Sequence, residues 1–165
     1  VLENLFCTNS ICVPSRASIL TGQYSHINGV YNLPDALDTD SLNVSKILQK
    51  NGYQTSLIGK WHLKKEPSGF DYYKVLPGQG LYNDPYFKTK ENWKDGYQGG
   101  EREKGFSSDI IGDSSIEWLK KIDRNKPFFM MTHFKATHEP FDYPERHKSL
   151  NENIVFPRFP KSRCW

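Results

Sequence analysis

The residues from Cys12 to Gly22 combine types that are well suited to chemistry; they read C-V-P-S-R-A-S-I-L-T-G. Pro14 fits the first turn of a helix, because its φ is fixed and it has no N–H, and Gly22 suits the left-handed position after the last turn. A short helix between them would place Cys12 at its positive end, where unpaired N–H groups attract anions. Arg16, four residues later, would add a planar set of donors suited to a tetrahedral oxyanion. The segment therefore predicts a cysteine nucleophile beside an anion site.

Two further segments place basic side chains after apolar stretches. Lys60 and His62 lie in G-K-W-H-L, and His138 lies in T-H-E-P. Lysine and histidine stabilise developing negative charge and transfer protons. Each also has an ordinary alternative, because an isolated lysine is usually exposed and an isolated histidine often fills a loop or a turn. His133, inside an apolar run, is interpreted as a buried structural histidine.

The elements that must position these residues alternate between helix and strand. The spacing of apolar residues predicts helices at 12–21, 41–50 and 107–122 and strands at 53–58 and 127–134. Periodicity is weak at 64–105, which predicts a long irregular segment with room for small strands. The last strand is apolar enough to be a buried parallel strand. In such a sheet the binding crevice lies at the carboxyl ends of the strands. We therefore expect Lys60, His62 and His138 to meet Cys12 and Arg16 at one rim.

Composition narrows the class of protein. The chain has 165 residues, 36% of them hydrophobic, and a formal net charge of +3. It is long enough for one folded domain, too weakly charged to indicate a nucleic-acid partner, and has no apolar stretch long enough to span a membrane. The three cysteines cannot all pair within the chain, and a Cys7–Cys12 disulfide would consume the nucleophile. We expect no such bridge.

The Cys12–Gly22 segment resembles the signature C-x-P-S-R-x-x-x-x-T-G of the type I, formylglycine-dependent sulfatases. G-K-W-H-L resembles the second motif of that family, and T-H-E-P resembles its later H-x-P element. The three matches occur in the family's order, and the resemblance spans about residues 5–156. It implies an α/β, alkaline-phosphatase-like fold with a mainly parallel sheet flanked by helices. Segments 69–73, 76–80 and 133–140 look like parts of bacterial glycan sulfatases, including the N-acetylglucosamine-6-sulfatase type.

The resemblance implies a role for each candidate residue. Cys12 would be oxidised by a formylglycine-generating enzyme, and its hydrated aldehyde would attack the sulfur of a sulfate ester. Arg16 and Lys60 would hold the sulfate oxygens. His62 would take a proton from the second hydroxyl of the hydrate, and His138 would protonate the departing alcohol. The substrate would be a sulfated sugar or glycan, and the complete protein would be periplasmic or extracellular.

The family also uses a divalent cation, usually calcium, and the resemblance implies that Cys12 is its one ligand within this chain. Calcium binds several hard oxygen ligands. In the family these come from an Asp-Asp pair, expected before Val1, and from an Asp-Asn or Asp-His pair, expected after Trp165. The chain is therefore expected to be an incomplete, inactive middle part of an enzyme, with Asp35, Asp38 and Asp40 as the first ligands to test if it is active alone.

Several alternatives stay open at this point. Residues 1–156 are interpreted as a partial catalytic domain, and 157–165 as an atypical tail that is either the result of truncation or a frameshift, or a genuine proline-rich end. Relatives with the same cysteine signature cleave phosphorus esters, so a phosphonate or phosphodiester hydrolase is a second hypothesis. A catalytically inactive remnant or binding module is a third.

Overall fold

The structure is a computed structural model that describes residues 4–155, so the tail at 157–165 and Cys164 lie outside the described residues. Its elements are α1 (Cys12–Thr21), α2 (Ser25–Asn28), α3 (Val44–Lys50), β1 (Gln54–Lys60), β2 (Tyr72–Leu76), β3 (Tyr86–Phe87), β4 (Glu101–Arg102), α4 (Ser107–Lys121) and β5 (Phe128–His133). Two short 3₁₀ helices lie at Trp93–Asp95 and Glu145–His147. Among these described residues, none of the helices is long and apolar enough to cross a membrane. The α/β class predicted from the sequence is confirmed.

Strands β2, β1 and β5 form a parallel sheet with β1 in the centre, and β3 pairs with β4 in a separate antiparallel ribbon. Gly59 of β1 lies opposite His133 of β5, and Lys60 lies opposite Leu76 of β2. Because the three strands are parallel, their carboxyl ends share one edge of the sheet. That edge carries Lys60 and His133.

Neighbouring residues of β1 point to opposite faces of the sheet and bury each face under a helix. Leu57 packs in one core cluster with Val13 and Leu20 of α1. Ile58 packs in a second cluster with Ile111 of α4. Each fully buried aliphatic side chain contributes about 1.5–3 kcal/mol relative to an exposed one. This two-sided packing fixes β1, and with it the chain that leaves its carboxyl end.

Helix α1 begins and ends as the sequence predicts. It starts at Cys12, with Pro14 buried in the first turn. Gly22 follows its last residue in the left-handed conformation, with φ of 68°, and its N–H donates to the carbonyl of Ser18 at 2.8 Å. Cys12 is therefore the first helical residue, at the positive end.

Helix α3 starts later than predicted. The apolar pattern suggests a start at residue 41, but the helix runs Val44–Lys50. Asn43 precedes it in an extended conformation, and its Oδ1 accepts a hydrogen bond from the N–H of Lys46 at 2.9 Å. A side-chain cap of this kind ends the extended chain and begins the helix. The prediction followed the apolar spacing and overlooked the cap.

The segment 64–105 contains short strands, as predicted, but one of them, β2, belongs to the main sheet. The strand has five residues, and Lys74 within it interrupts the apolar pattern. The ammonium of Lys74 forms an ion pair with Glu103 at 2.8 Å and lies 4.8 Å from the ring centre of Phe87. A charged residue satisfied in this way can occupy a sheet position that the sequence pattern assigns to a loop.

Strand β5 is also more open than predicted. Its sequence suggested burial on both faces, yet Phe128 is 46% exposed and the other five residues are only half-buried. Within residues 4–155, β5 pairs with β1 alone and forms one edge of the sheet. Apolar content alone does not distinguish an edge strand from a central one.

Candidate active site

The thiol of Cys12 and the ring of His62 meet where α1 begins and β1 has ended. The distance from Sγ of Cys12 to Nδ1 of His62 is 3.4 Å. Cys12 is half-buried in the first turn of α1, and His62 is buried two residues beyond β1. A sulfur atom at this distance lies within hydrogen-bonding reach of an imidazole nitrogen. The pair can therefore pass a proton between a group at position 12 and the histidine.

His62 is kept neutral and is held in an uncommon backbone conformation. Burial, together with the neighbouring charges of Lys60 and Arg16, lowers its pKa to about 4. A neutral imidazole at physiological pH can accept a proton. The φ of His62 is 63°, in the left-handed region that non-glycine residues enter at a cost of about 1–2 kcal/mol. This turn brings the ring back from the end of β1 to Cys12.

Arg16 lies one turn along α1 and joins the helix to the sheet edge. Its Nη1 donates to the carbonyl of Lys60 at 2.8 Å. Its guanidinium is largely buried, and burial lowers its pKa while the charge of Cys12 raises it. In residues 4–155, Nε and Nη2 of Arg16 make no hydrogen bond, and both remain able to bind an oxyanion.

Lys60 brings a second positive charge to the same edge. It is only 2% exposed, and its Nζ donates to Oε1 of Gln79 at 2.6 Å. Burial, together with the charge of Arg16, lowers its pKa to about 8. The described residues bring no carboxylate within ion-pairing distance of Lys60, so its charge is not cancelled. Two uncompensated cations thus flank the Cys12–His62 pair, an arrangement that suits an anionic substrate.

His138 stands at the other side of this edge, in the loop after β5. It is half-buried, and its Nδ1 lies 3.0 Å from the backbone carbonyl of Glu139. Because a carbonyl only accepts, Nδ1 carries the hydrogen in this bond, and Nε2 is left to exchange a proton with a ligand. The charge of His138 is among those that lower the pKa of His62, so the two rings lie within electrostatic reach.

The sequence predicts that the five site residues open into one hollow. In the structure they do not all line the same one. Cys12 and Arg16 line a cavity of about 290 Å³ with largely apolar walls from α1, β5 and the segment after β1. His138 lines a more open hollow together with Gln79. Lys60 and His62 are buried, and the Lys60 ammonium is bound to Gln79. His62 faces Cys12, which lines the first opening, and Lys60 is bonded to Gln79, which lines the second, so this buried pair lies along the sheet edge that joins the two openings.

His133 belongs to this site, although its sequence context suggested a purely structural histidine. Its Nδ1 is 3.1 Å from Nη1 of Arg16 and 3.1 Å from the carbonyl of Lys60. Nδ1 can accept from Arg16 when it is unprotonated or donate to the Lys60 carbonyl when it carries the hydrogen, so only one of these two contacts is a hydrogen bond in a given tautomer. Burial and the charge of Arg16 lower the pKa of His133 to about 4, which keeps the ring neutral. Its place as the last residue of a parallel strand is the signal that could have identified it.

A model of the family described as Sulfatase matches residues 1–154. The chain belongs to the sulfatase family. This sulfatase chain is 44% identical over 158 residues to an N-acetylglucosamine-6-O-sulfatase of Bacteroides thetaiotaomicron, a match covering 94% of the chain and 27% of that relative. It is 27% identical over 176 residues to the N-acetylglucosamine-6-sulfatase of Homo sapiens, covering 94% of the chain and 32% of that protein.

A solved structure of a protein in complex with its substrate D-glucosamine-2-N,6-O-disulfate superposes with a TM-score of 0.86 and 42% sequence identity. The match covers 94% of this sulfatase chain and 31% of the other. The sulfatase fold implied by the sequence motifs is therefore confirmed. The chain spans about a quarter to a third of the length of these relatives.

The described part of the sulfatase chain does not by itself fit a calcium ion. Among residues 4–155, no three His, Cys, Asp or Glu side chains lie close enough to hold a metal together. The acidic residues proposed for the case of an active isolated chain are engaged locally: Asp35 accepts the N–H groups of Tyr31 and Asn32, and Asp38 accepts that of Asp40.

The thiol of Cys12 is not engaged in a disulfide. Cys12 and Cys7 are both free, and Cys7 is exposed. Both thiols are open to chemistry, but only Cys12 has a histidine and an arginine beside it.

Proposed function

We propose that the protein hydrolyses sulfate esters on a sulfated sugar, with position 12 as the nucleophile after oxidation of Cys12 to formylglycine. The observation that carries the proposal is the 3.4 Å contact between Cys12 and the neutral ring of His62. It lies at the positive end of α1, beside the free donors of Arg16. Nucleophile, base and anion-binding cations are the parts that displacement at sulfur requires.

The surroundings of Cys12 suit such a modification. The side chain is half-buried, so it is accessible yet partly shielded from water, and a nitrogen that can accept a proton lies next to its sulfur. The modified residue would supply a hydrated aldehyde as an oxygen nucleophile. The role of the modifying enzyme is proposed with it, because a thiol does not become an aldehyde without an oxidase.

The chain's own residues would divide the remaining work. Arg16, held by the carbonyl of Lys60, would orient the sulfate group with Nε and Nη2. Lys60 would stabilise the negative charge that develops on the sulfate oxygens. After the sulfate has been transferred to one hydroxyl of the hydrate, neutral His62 would accept the proton of the second hydroxyl at Nδ1, the atom that faces position 12; the bond from that carbon to the sulfate oxygen would break, which releases sulfate and restores the aldehyde. His138 would donate a proton from Nε2 to the departing sugar oxygen.

The names of the relatives support the sugar part of the proposal. Two of them are N-acetylglucosamine-6-sulfatases, and the solved complex contains a glucosamine with sulfates at N2 and O6. We therefore propose an amino sugar sulfated at the 6-position as the substrate class. Because phosphorus esters are also tetrahedral oxyanions, the decisive assay compares both kinds of ester.

The first experiment examines the modification. After co-expression with a formylglycine-generating enzyme, mass spectrometry of the Cys12 peptide should show loss of sulfur and gain of oxygen. Cys7 is the internal control and should keep its thiol, because it lies outside the signature. An unmodified Cys12 under conditions that convert a known substrate peptide would contradict the proposal.

The second experiment examines the reaction in the longest natural protein that contains this chain. It should release sulfate from 6-sulfated N-acetylglucosamine and from an activated aryl sulfate, and the Cys12→Ala variant should release none above background. Faster turnover of an aryl phosphodiester than of both sulfates would favour the phosphorus-ester hypothesis. Failure on all three would favour an inactive remnant.

We also expect the 165-residue chain alone, with Cys12 converted and calcium supplied, to show no turnover of an aryl sulfate above its Cys12→Ala control. The reason is that residues 4–155 gather no metal-binding set to orient the sulfate. Calcium-dependent turnover above that control would contradict this expectation. Asp35, Asp38 and Asp40 would then be the first ligands to substitute.

A further inference from the structure

Gln79 contacts both sides of the candidate site and has no role in the function proposed so far. It lies in a tight turn after β2, where the N–H of Gly80 donates to the carbonyl of Pro77 at 3.0 Å. The N–H of Gly78 donates to the hydroxyl oxygen of Tyr97 at 2.7 Å, which holds the turn in place. Gln79 is thus presented from a fixed backbone.

The side chain of Gln79 reaches the catalytic lysine candidate. Its Oε1 accepts a hydrogen bond from Nζ of Lys60 at 2.6 Å. Lys60 is almost fully buried, and a buried ammonium needs partners to offset the loss of water. An amide oxygen provides one without cancelling the charge, whereas a carboxylate would neutralise it. A glutamine therefore holds Lys60 in place and leaves its charge for the substrate.

The backbone of Gln79 is tied to the loop that carries His138. Its carbonyl accepts from Nζ of Lys135 at 3.2 Å, and the same Nζ donates to the carbonyl of Glu139 at 3.4 Å. Lys135 is 4% exposed, and its ammonium also lies 4.8 Å from the ring centre of Tyr82. The hydroxyl of Tyr82 donates to the carbonyl of His138 at 2.5 Å. The turn with Gln79 and the loop with His138 are therefore held as one unit.

The remaining polar atom of Gln79 is free to bind a ligand. Because an ammonium only donates, Oε1 is the atom that faces Lys60, and Nε2 is directed elsewhere. Within residues 4–155, Nε2 makes no hydrogen bond. Gln79 and His138 line the same open hollow. The leaving-group sugar, whose oxygen His138 would protonate, would lie in that hollow. Nε2 of Gln79 could donate a hydrogen bond to it there.

We propose that Gln79 is a positioning residue that fixes the ammonium of Lys60 through Oε1 and contacts the leaving-group sugar through Nε2. The inference rests on the proposed sulfatase function for its substrate. It makes Gln79 a determinant of specificity, since the Oε1 contact acts on every sulfate ester and the Nε2 contact acts only on esters with a hydroxyl-bearing leaving group.

The kinetic test compares Gln79→Ala with Gln98→Ala in the longest natural protein that contains the chain. Gln98 is an exposed glutamine that lines a neighbouring hollow with Gln79 and makes no contact with Lys60. Gln79→Ala should lower kcat/KM about 100-fold for the 6-sulfated sugar and about tenfold for an aryl sulfate. Gln98→Ala should change either value less than threefold. Equal losses on the two substrates would overturn the sugar contact.

A second variant tests the contact with Lys60. Gln79→Glu keeps an oxygen acceptor but adds a negative charge, which should raise the pKa of Lys60 from about 8 by about one pH unit. Activity that requires charged Lys60 should then persist to a higher pH than in the unchanged protein. If the alkaline limb of the pH–activity profile is the same in Gln79→Glu as in the protein without substitutions, Gln79 does not position Lys60.

NMR titration gives the same information without activity, and it needs no access of a reagent to the buried amine. At pH 8 about half of Lys60 is uncharged, and in Gln79→Glu the midpoint of the pH titration of the Lys60 Cε chemical shift should move about one pH unit higher. Lys94, an exposed lysine, serves as the internal reference in the same spectra. An unchanged midpoint for Lys60 contradicts the inference about Gln79 alone, whereas a protein without substitutions that hydrolyses no sulfate ester contradicts the proposed function.

Discussion

The carboxyl end of β1 and the carboxyl end of β5 supply site residues from very different surroundings. From Lys60 to Leu63 every side chain is buried, whereas from Phe134 to Pro140 only Lys135 is. The central strand is packed on both faces, and β5 has one paired edge among the described residues. Groups that must keep unusual protonation states sit at the first end, where burial shifts their pKa values. The group proposed to meet a variable leaving group sits at the second, more open end.

Removing the buried charge of Lys60 should have the largest effect on turnover. Lys60→Met keeps the length of the side chain but deletes the ammonium next to Arg16, so we expect kcat on an aryl sulfate to fall about 10³-fold. Lys74→Met is the matched control, because Lys74 is also partly buried but pairs with Glu103 away from the site. The kcat of Lys74→Met should stay within about threefold of that of the protein without substitutions. A Lys60→Met enzyme with more than a tenth of normal turnover would show that the β1 end does not stabilise the reacting charge.

The close approach of the two strand ends can be disrupted at Gly59. A Cβ there would lie 1.9 Å from the carbonyl oxygen of His133, and the φ of Gly59 is +103°. Gly59→Ala should therefore lower the free energy of unfolding by about 3–5 kcal/mol, measured by denaturant titration of the chain.

Gly112→Ala is the control for that measurement. Gly112 lies inside α4, its φ is ordinary for a helix, and a Cβ would have no atom within 4 Å. Alanine should stabilise the helix there by up to about 1 kcal/mol. Equal effects at the two glycines would mean that the junction of β1 and β5 is not tightly packed.

A smaller effect is expected at the open end, and it should depend on the leaving group. His138→Gln should reduce turnover of a 6-sulfated sugar about 10²-fold, because its poor leaving group needs a proton. The same variant should reduce turnover of an aryl sulfate less than tenfold, because that leaving group departs as an anion. Losses of the same size on both substrates would remove His138 from the proton-donating role.

The last expected effect is that of pH on the stability of the folded chain, and it does not depend on a substitution. His62 and His133 both have a pKa of about 4 in the folded chain, against an ordinary value of 6.5. Between these values the unfolded chain binds more protons than the folded one, so stability should be fully present above pH 6.5 and fall as the pH drops toward 4.

The free energy of unfolding, measured by urea titration at several pH values, should change with pH with a slope that corresponds to nearly two protons. Substituting glutamine for both His62 and His133 should flatten the curve between pH 6.5 and 4. His26→Gln is the control, since His26 is exposed and stacks only on Tyr24. A slope that survives the double substitution would place the titrating groups elsewhere.

Local sequence signals were enough for much of the fold and for placing Lys60 and His62 beside Cys12 and Arg16. The limits of α1 followed from Pro14 and Gly22, and the shared edge of Lys60 and Cys12 followed from the parallel arrangement. Non-local contacts were not visible in this way. The place of β2 in the main sheet could not be predicted, because Glu103, the partner of Lys74, lies 29 residues away in the sequence. The role of His133 could not be predicted either, because its partner Arg16 is 117 residues away. Gln79 was noted only as part of a segment, since nothing in its own neighbourhood indicates a bond to Lys60.

The left-handed backbone at His62 has a consequence for how this chain can change. A glycine at that position would relieve a cost of about 1–2 kcal/mol and would leave the turn after β1 intact. It would also remove the only imidazole that faces position 12 among the described residues. A library screened for heat resistance alone should therefore enrich the variant that has lost its base. Selection for turnover is what keeps a histidine in a conformation that favours glycine.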